Sequence, residues 1–435
     1  MMEFENAIDY FPYIGHELNQ EKVIKGKMWR NVVGCLFDQE NITESDDSVL
    51  IRGTARVPLF KKVIVHGAKE QRKIAHDSFA VGAVIPRHRG LYDYGIGMPV
   101  HSRLINPEVM LLAGSNLFVA VYDTWLRHYG AVMFLRQDTE LKRKGFPKAF
   151  LSIERYLEEV FPAYLNDQMF EGVGAQKLKR DMIIYPGQEK HPVTKKRSGG
   201  RSKTGKLRDL SPLIFEKFRN LARDSTTKLY ITPVNISFSK YPDATFIVHP
   251  TKHMGFVNNL RYMHEQRFAD TGYPRYALRH PEAKLEAIVN YGKPQHFRGE
   301  DFKSFRDIFK FTRSLKNKIG LLESIFPSTL IFRAMQGKTE KLFPELENDA
   351  LALYDHYCRA GINVTQVSEQ PGKMLPIEEM AHRMLITLNS NPPYRIYGSR
   401  TKEFVSAQAG RFYTLDKPLQ DWYANSISHL DPENL

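Results

Sequence analysis

The chain has 435 residues, 42% of them hydrophobic, and a formal net charge of +13. That length points to two or three domains, or one large domain with additions, and the hydrophobic share is ample for a buried core. Cys35 and Cys358 are too few for a disulfide framework or a metal-ligand spacing, and the acidic start MMEFENAIDYF lacks the basic flank of a signal peptide, so a reducing, cytoplasmic setting is expected.

Residues 1–78 read as a mainly helical N-terminal region, broken at NITESDD (Asn41–Asp47). From residue 79 short β-branched or apolar runs alternate with longer helical stretches. FAVGAVI (Phe79–Ile85), GAVMFL (Gly130–Leu135), DMIIYP (Asp181–Pro186), LYITPVNISF (Leu229–Phe238) and AIVNY (Ala287–Tyr291) read as strands. KAFLSIERYLEEVF (Lys148–Phe161) and the run Phe302–Phe326 carry apolar residues three and four apart and read as helices. The run Val109–Leu126 is apolar but contains Ser115, Asn116 and Asp123. It is read as a buried core helix, or as a surface that dips into a bilayer or holds an acyl chain; no run reaches the roughly 18 uninterrupted apolar residues of a spanning helix. Strands separated by helices imply an α/β fold with a mixed, mostly parallel sheet flanked by helices, here with helical N- and C-terminal additions. An α/β domain is therefore expected over 79–335. GKTEKLFPELE (Gly337–Glu347) reads as a linker into a mainly helical region, 336–435, whose first helix stops at Gly361.

Charge is concentrated. From Lys177 to Arg208 there are eleven basic residues against Asp181 and Glu189, so +9 of the +13 sits in 32 positions. Such a stretch is either a solvated basic loop or a site that attracts phosphates, whether of nucleic acid, anionic lipid, coenzyme A or an acidic carrier protein. Within it, SGGRSKTGKL (Ser198–Leu207) mimics a nucleotide-binding loop, with four residues between Gly200 and Gly205-Lys206. The hydroxyl residue that would hold magnesium is replaced by Leu207, and the preceding strand ends more than ten residues upstream, so the nucleotide reading is set aside.

The strand Phe79–Ile85 runs into PRHRGLYDYG, where His88 and Asp93 are five apart. On one straight helix they would not share a face. A histidine in the loop after the strand can still meet an aspartate in the first turn of the next helix, and the aspartate would then hold the imidazole tautomer for proton transfer. Spacing alone is a weak signal, but the order of later elements strengthens it. After His88 come Gly130, Phe134 and Arg136 in GAVMFLR, then Gly200, Arg201 and Ser202, then Pro233 inside a strand. This series resembles the four motif blocks of the glycerolipid acyltransferases, and most of all the glycerol-3-phosphate / dihydroxyacetone-phosphate subgroup. The first block there reads Pro-x-His-Arg-x-x-x-Asp-Tyr, matched by Pro86, His88, Arg89, Asp93 and Tyr94; the chain end WYANSISHL (Trp422–Leu430) resembles that subgroup's closing segment. One departure stands out: the family places Glu before Gly-Gly-Arg-Ser, where this chain has Ser198, and the nearest carboxylate is Glu189.

The resemblance implies transfer of a fatty acyl group from acyl-CoA or acyl-carrier-protein to the sn-1 hydroxyl of glycerol-3-phosphate. His88 would be general base and Asp93 its partner. No covalent intermediate, metal or cofactor is expected. Arg136 and Arg201 would grip the acceptor phosphate bidentately, with Arg89 and Lys203 as second choices; pairing with local carboxylates is their alternative role. Gly130, Phe134, Gly200, Ser202 and Pro233 complete the implied substrate-binding set, Pro233 by shaping an edge near the site or simply by starting a strand. An anionic membrane surface is an expected partner and nucleic acid is not. Dihydroxyacetone phosphate or a lysophosphatidate as acceptor, thioesterase activity, and a non-catalytic phosphate-surface binder remain open.

Overall fold

The computed structural model describes residues 42–45, 47–52, 60–90, 92–114, 130–135, 152–171, 179–190, 197–199, 202, 204–241, 244, 248, 284–389 and 405–434. Among these residues the central sheet has ten strands. In chain order they are β1 (Ile42–Glu44), β2 (Ser48–Arg52), β3 (Phe60–His66), β4 (Ala80–Pro86), β5 (Val109–Gly114), β6 (Ala131–Phe134) and β7 (Asp181–Ile184). A small separate sheet of β8 (Gly187–Lys190), β9 (Arg197–Gly199) and β10 (Asp209–Leu210) intervenes before β11 (Lys228–Phe238), β12 (Leu285–Tyr291) and β13 (Gln295–His296) return to the central sheet.

The order is β1-β2-β3-β12-β11-β4-β7-β5-β6, with β13 also pairing β11. Strands β11, β4, β7, β5 and β6 run parallel to one another, as do β3 and β12; the other pairs are antiparallel. The sheet is thus mixed and mostly parallel. All seven residues of β4 are buried, the unbroken apolar run of a strand covered on both faces. Because five neighbouring strands point the same way, their carboxyl ends line one edge, where ligands of open α/β sheets bind.

Helices cover the sheet: α1 (Ala68–Ala75), α2 (Tyr92–Leu104), α3 (Pro212–Asp224) and α4 (Phe305–Leu321). Helix α4 starts three residues later than its apolar pattern suggests, because Ser304 and Asp307 form a reciprocal capping box. The stretch expected as a helix over Lys148–Phe161 is helical from Ile153 and continues to Glu171, with two π-helical segments. After it, α5 (Pro327–Ala334), α6 (Phe343–Arg359), α7 (Ile377–Asn389) and α8 (Lys417–Ser426) build the helical C-terminal region, stitched by short antiparallel strands.

Three expectations need correction. The described part of residues 1–78 is not mainly helical: β1 to β3 extend the central sheet, with Val63 and Val65 alternating inward from a strand whose lysines mask the pattern. Val109–Gly114 is a strand rather than the start of a helix, and the rest of that apolar run lies outside the described residues. Gly337–Glu347 is no linker. Residues Glu340–Leu342 pair with Arg411–Thr414, and the buried Lys341 ammonium donates to the Ala334 carbonyl and contacts Asp349. Among the described residues no helix is long and apolar enough to cross a membrane.

Candidate active site

Strand β4 delivers His88 two residues beyond its carboxyl end, and α2 begins four residues later with Asp93 in its first turn. Nδ1 of His88 lies 3.0 Å from Oδ2 of Asp93. The same oxygen accepts the backbone N–H groups of Arg89 at 2.5 Å and Gly90 at 2.8 Å. Three donors converging on one carboxylate oxygen assign the proton to Nδ1 and leave the Nε2 lone pair for chemistry. The hydroxyl of Tyr94 stands 3.0 Å from that Nε2. Tyr185, just after β7, donates its hydroxyl to the Asp93 carbonyl at 2.8 Å, and a Cβ at position 97 would come within 2.9 Å of that hydroxyl, so glycine is needed there.

Beneath the pair lies a buried charge cluster. Arg87 Nη1 reaches Glu323 Oε2 at 2.5 Å and Arg89 Nη1 reaches Glu323 Oε1 at 2.7 Å. Arg89 Nη2 also donates to Asn235 and to the Ile236 carbonyl, and its guanidinium stacks 5.0 Å from the Tyr241 ring centre. Burial alone would raise the Glu323 carboxyl, but Arg89 and Arg87 hold it below the usual carboxylate range. Burial, then repulsion from Arg89, brings Arg87 down to about 10, still cationic at neutral pH. Burial also works against the charge on Arg89, yet Glu323 outweighs it and raises the guanidinium further.

This overturns one expected role. Arg89 is 1% exposed and spends its guanidinium on Glu323, so gripping a phosphate would mean breaking a buried pair, at about 3–5 kcal/mol. Ser202 is likewise inward: its hydroxyl donates to the Lys206 carbonyl at 3.0 Å. Pro233 lies in the middle of the sheet, paired with Ile85 of β4, and not at an edge. Its carbonyl accepts from Gly292 at the break between β12 and β13, so the missing N–H falls where no ladder bond is required.

Phe134 of the second block sits at the carboxyl end of β6, on the same edge of the sheet but three strands from β4, about 14 Å away, and packs edge-on against Phe161 at 5.1 Å. Gly130 lies at the opposite, amino end of β6, where it makes a turn with φ +76°. Both serve local packing in the described structure. Arg136, Gly200, Arg201 and Lys203 lie outside the described residues.

The third block is held by the end of the chain. Trp422 Nε1 donates to the Ser202 carbonyl at 2.9 Å, and Asn425 donates to the Thr204 carbonyl at 3.1 Å. Arg87 Nη2 reaches the Gly205 carbonyl at 2.7 Å while Nη1 reaches the Ser426 carbonyl at 2.8 Å. Gly205 has φ +78°, and a Cβ there would sit 2.0 Å from the Trp422 carbonyl oxygen. Packing against α8, rather than a nucleotide phosphate, explains this glycine. The loop then enters β10, and α3 starts only at Pro212, so the strand–loop–helix context of a nucleotide site is absent here. The backbone register of β8 and β9 makes Glu189 and Ser198 Cα partners, which brings the nearby carboxylate position opposite the departure noted above.

Sequence reasoning missed Glu323, Arg87 and Tyr185. Glu323 carried one signal, a lone acid within the apolar GLLESIF. Among the described residues no cluster of three His, Cys, Asp or Glu could hold a metal ion.

No family model matches the chain, and no curated protein matches it. Among solved structures it is similar to the crystal structure of the 1-acyl-sn-glycerophosphate (LPA) acyltransferase PlsC from Thermotoga maritima, at 13% identity and a TM-score of 0.28, over 59% of this chain and 70% of that one. At that score the α/β assignment rests on this chain's own strand order and pairing.

Proposed function

We propose that the protein is an O-acyltransferase that moves a fatty acyl group from acyl-CoA or acyl-carrier-protein to the sn-1 hydroxyl of glycerol-3-phosphate. The observation that carries this reading is the His88–Asp93 pair, oriented for proton abstraction at the carboxyl edge of a parallel sheet. Support comes from the third block, tied through Arg87 to the same strand end. His88 takes the acceptor proton as the oxygen attacks the thioester carbonyl, and Asp93 stabilises the imidazolium that forms. Arg136 and Arg201 are assigned to the acceptor phosphate, and position 189 to the carboxylate that the family carries at the place of Ser198. Dihydroxyacetone phosphate and 1-acylglycerol-3-phosphate are the alternative acceptors. Contact with an anionic bilayer belongs to the proposal, supported by the +9 carried by residues 177–208.

The test is transfer from labelled acyl-CoA and acyl-carrier-protein to a panel of phosphorylated acceptors by the wild-type chain and Arg201→Ala. Arg201→Ala is expected to raise the acceptor KM about tenfold or more, because hydrogen bonds to charged groups are worth about 1.5–3 kcal/mol. Arg201→Lys should restore part of it, since an ammonium lacks the planar two-pronged contact. No transfer to any acceptor, or an unchanged KM in Arg201→Ala, refutes the reading of this loop.

A further inference from the structure

We infer that Tyr94 is a further catalytic residue: its phenol carries the proton between the acceptor hydroxyl and Nε2 of His88. This rests on the reading of His88 as the base. Both imidazole nitrogens are engaged, Nδ1 by Asp93 and Nε2 by the Tyr94 hydroxyl, each at 3.0 Å. A substrate hydroxyl therefore meets either the phenol or a nitrogen from which the phenol has been removed.

Three observations favour a phenol that stays. The His88 side chain is 4% exposed whereas Tyr94 is half-buried, so the phenol is the more accessible of the two. The Tyr94 ring lies 4.7 Å from the His88 ring and 4.6 Å, edge-on, from the Tyr185 ring. Its backbone belongs to the first turn of α2, and Tyr185 is itself fastened by its hydroxyl to the Asp93 carbonyl. Swinging out would sacrifice the contacts with two rings as well as the hydrogen bond, whereas a relay moves only protons. The chemistry is also graded: an ordinary phenol is a weaker acid than imidazolium and a stronger one than a water-like hydroxyl.

The step balances. The acceptor hydroxyl passes its proton to the Tyr94 oxygen as the phenol proton moves to Nε2. The acceptor oxygen forms a C–O bond to the thioester carbonyl, and the resulting tetrahedral adduct collapses with cleavage of the C–S bond. The departing sulfur takes the proton returned from the imidazolium through Tyr94, so ester and thiol are released and both side chains regain their starting states.

Tyr94→Phe keeps the ring and its packing and removes only the hydroxyl. The expected result is a fall in kcat of about 10²-fold or more, the ordinary scale for a lost proton-transfer group, with acceptor KM changed by no more than about twofold. A more acidic 3-fluorotyrosine at position 94 retains the hydroxyl and is expected to change kcat while leaving KM in place. Wild-type kcat with a lowered acceptor KM in Tyr94→Phe would overturn the relay and make Tyr94 a placeholder that the acceptor displaces. His88→Ala is measured alongside. If it is inactive while Tyr94→Phe is fully active, the relay alone fails; if His88→Ala is itself active, the assignment of the base fails and the relay with it.

Discussion

Two histidine–aspartate pairs flank helix α2. His88 meets Asp93 through Nδ1 at 3.0 Å, and His101, at the other end of the helix, meets Asp181 through Nε2 at 3.0 Å. Each histidine also faces a phenol: Tyr94 at 3.0 Å on the first, Tyr291 at 3.5 Å on the second. By composition the two are the same device. They differ in what surrounds them. His101 is 1% exposed and Tyr291 is buried; burial, with Asp181 adding to it, pushes the Tyr291 phenol well above its ordinary range. Asp181 spends its other oxygen on the Gly82 N–H of β4 at 2.6 Å, so this pair bolts α2 to β4 and β7. The first pair sits at the carboxyl edge of the sheet beside a half-buried phenol. On the function proposed above, access, rather than the presence of imidazole, carboxylate and phenol, separates the reactive pair from the structural one.

The sharpest way to break this comparison is to remove each imidazole in turn. His88→Ala is expected to lower turnover by about 10²–10⁴-fold, with a smaller loss of stability than at His101 because Asp93 keeps the Arg89 and Gly90 N–H donors. His101→Ala should do the reverse. It leaves the buried Asp181 carboxylate without its imidazole and should cost about 1.5–3 kcal/mol of stability, the worth of a hydrogen bond to a charged group, with turnover per folded molecule retained. Thermal denaturation and kcat measured on both variants decide the matter. A His101→Ala protein of normal stability and no activity would reverse the assignment of the two pairs.

The first pair was legible in the sequence because its members are five residues apart and flank a strand-to-helix junction. The second joins residues 80 apart, and no local pattern announces it. The same limit explains Arg89. Its identity suggested an anion, but its partner Glu323 lies 234 positions away, and only the fold shows the guanidinium turned inward. The five strands read from apolar runs are all present, since burial on both faces leaves a continuous signature. Strands β1 and β2 escaped because they are short, and β3 because Lys61 and Lys62 interrupt its buried residues. Gly205 was visible as a special residue, but its reason, the Trp422 carbonyl, comes from the far end of the chain.

A third histidine sharpens the contrast through pH. His429 donates to the Gly320 carbonyl at 3.2 Å, and neither ring nitrogen meets a carboxylate. Burial, with the Arg87 cation second, brings it down to about 3. Its folded value is below the unfolded one, so between about 6.5 and 3 the unfolded chain binds the proton that the folded chain refuses. Its contribution is complete above pH 6.5 and is lost progressively as pH falls toward 3. The wild type should therefore lose stability on acidification more steeply than His429→Gln in that window, measured by denaturant unfolding at fixed pH values. Parallel slopes for the two proteins would show that His429 is protonated in the fold.

The smallest expected effect tests whether the chain end merely packs or also positions. Asn425 donates one hydrogen bond to the Thr204 carbonyl, and its side chain is not part of the apolar core. Asn425→Ala should cost only about 0.5–1.5 kcal/mol, the net worth of one such bond. The clamp retains Trp422 on the Ser202 carbonyl and Arg87 on the Gly205 carbonyl, so the loop keeps its course. What changes is the freedom of Thr204, between those two fixed points. Amide exchange there should quicken, and acceptor KM should rise severalfold while kcat holds, because the bond lies on the phosphate-loop side and not on the His88 side. If exchange quickens and KM does not move, the third block is anchored by α8 for stability alone, and the acceptor phosphate is held elsewhere on the edge.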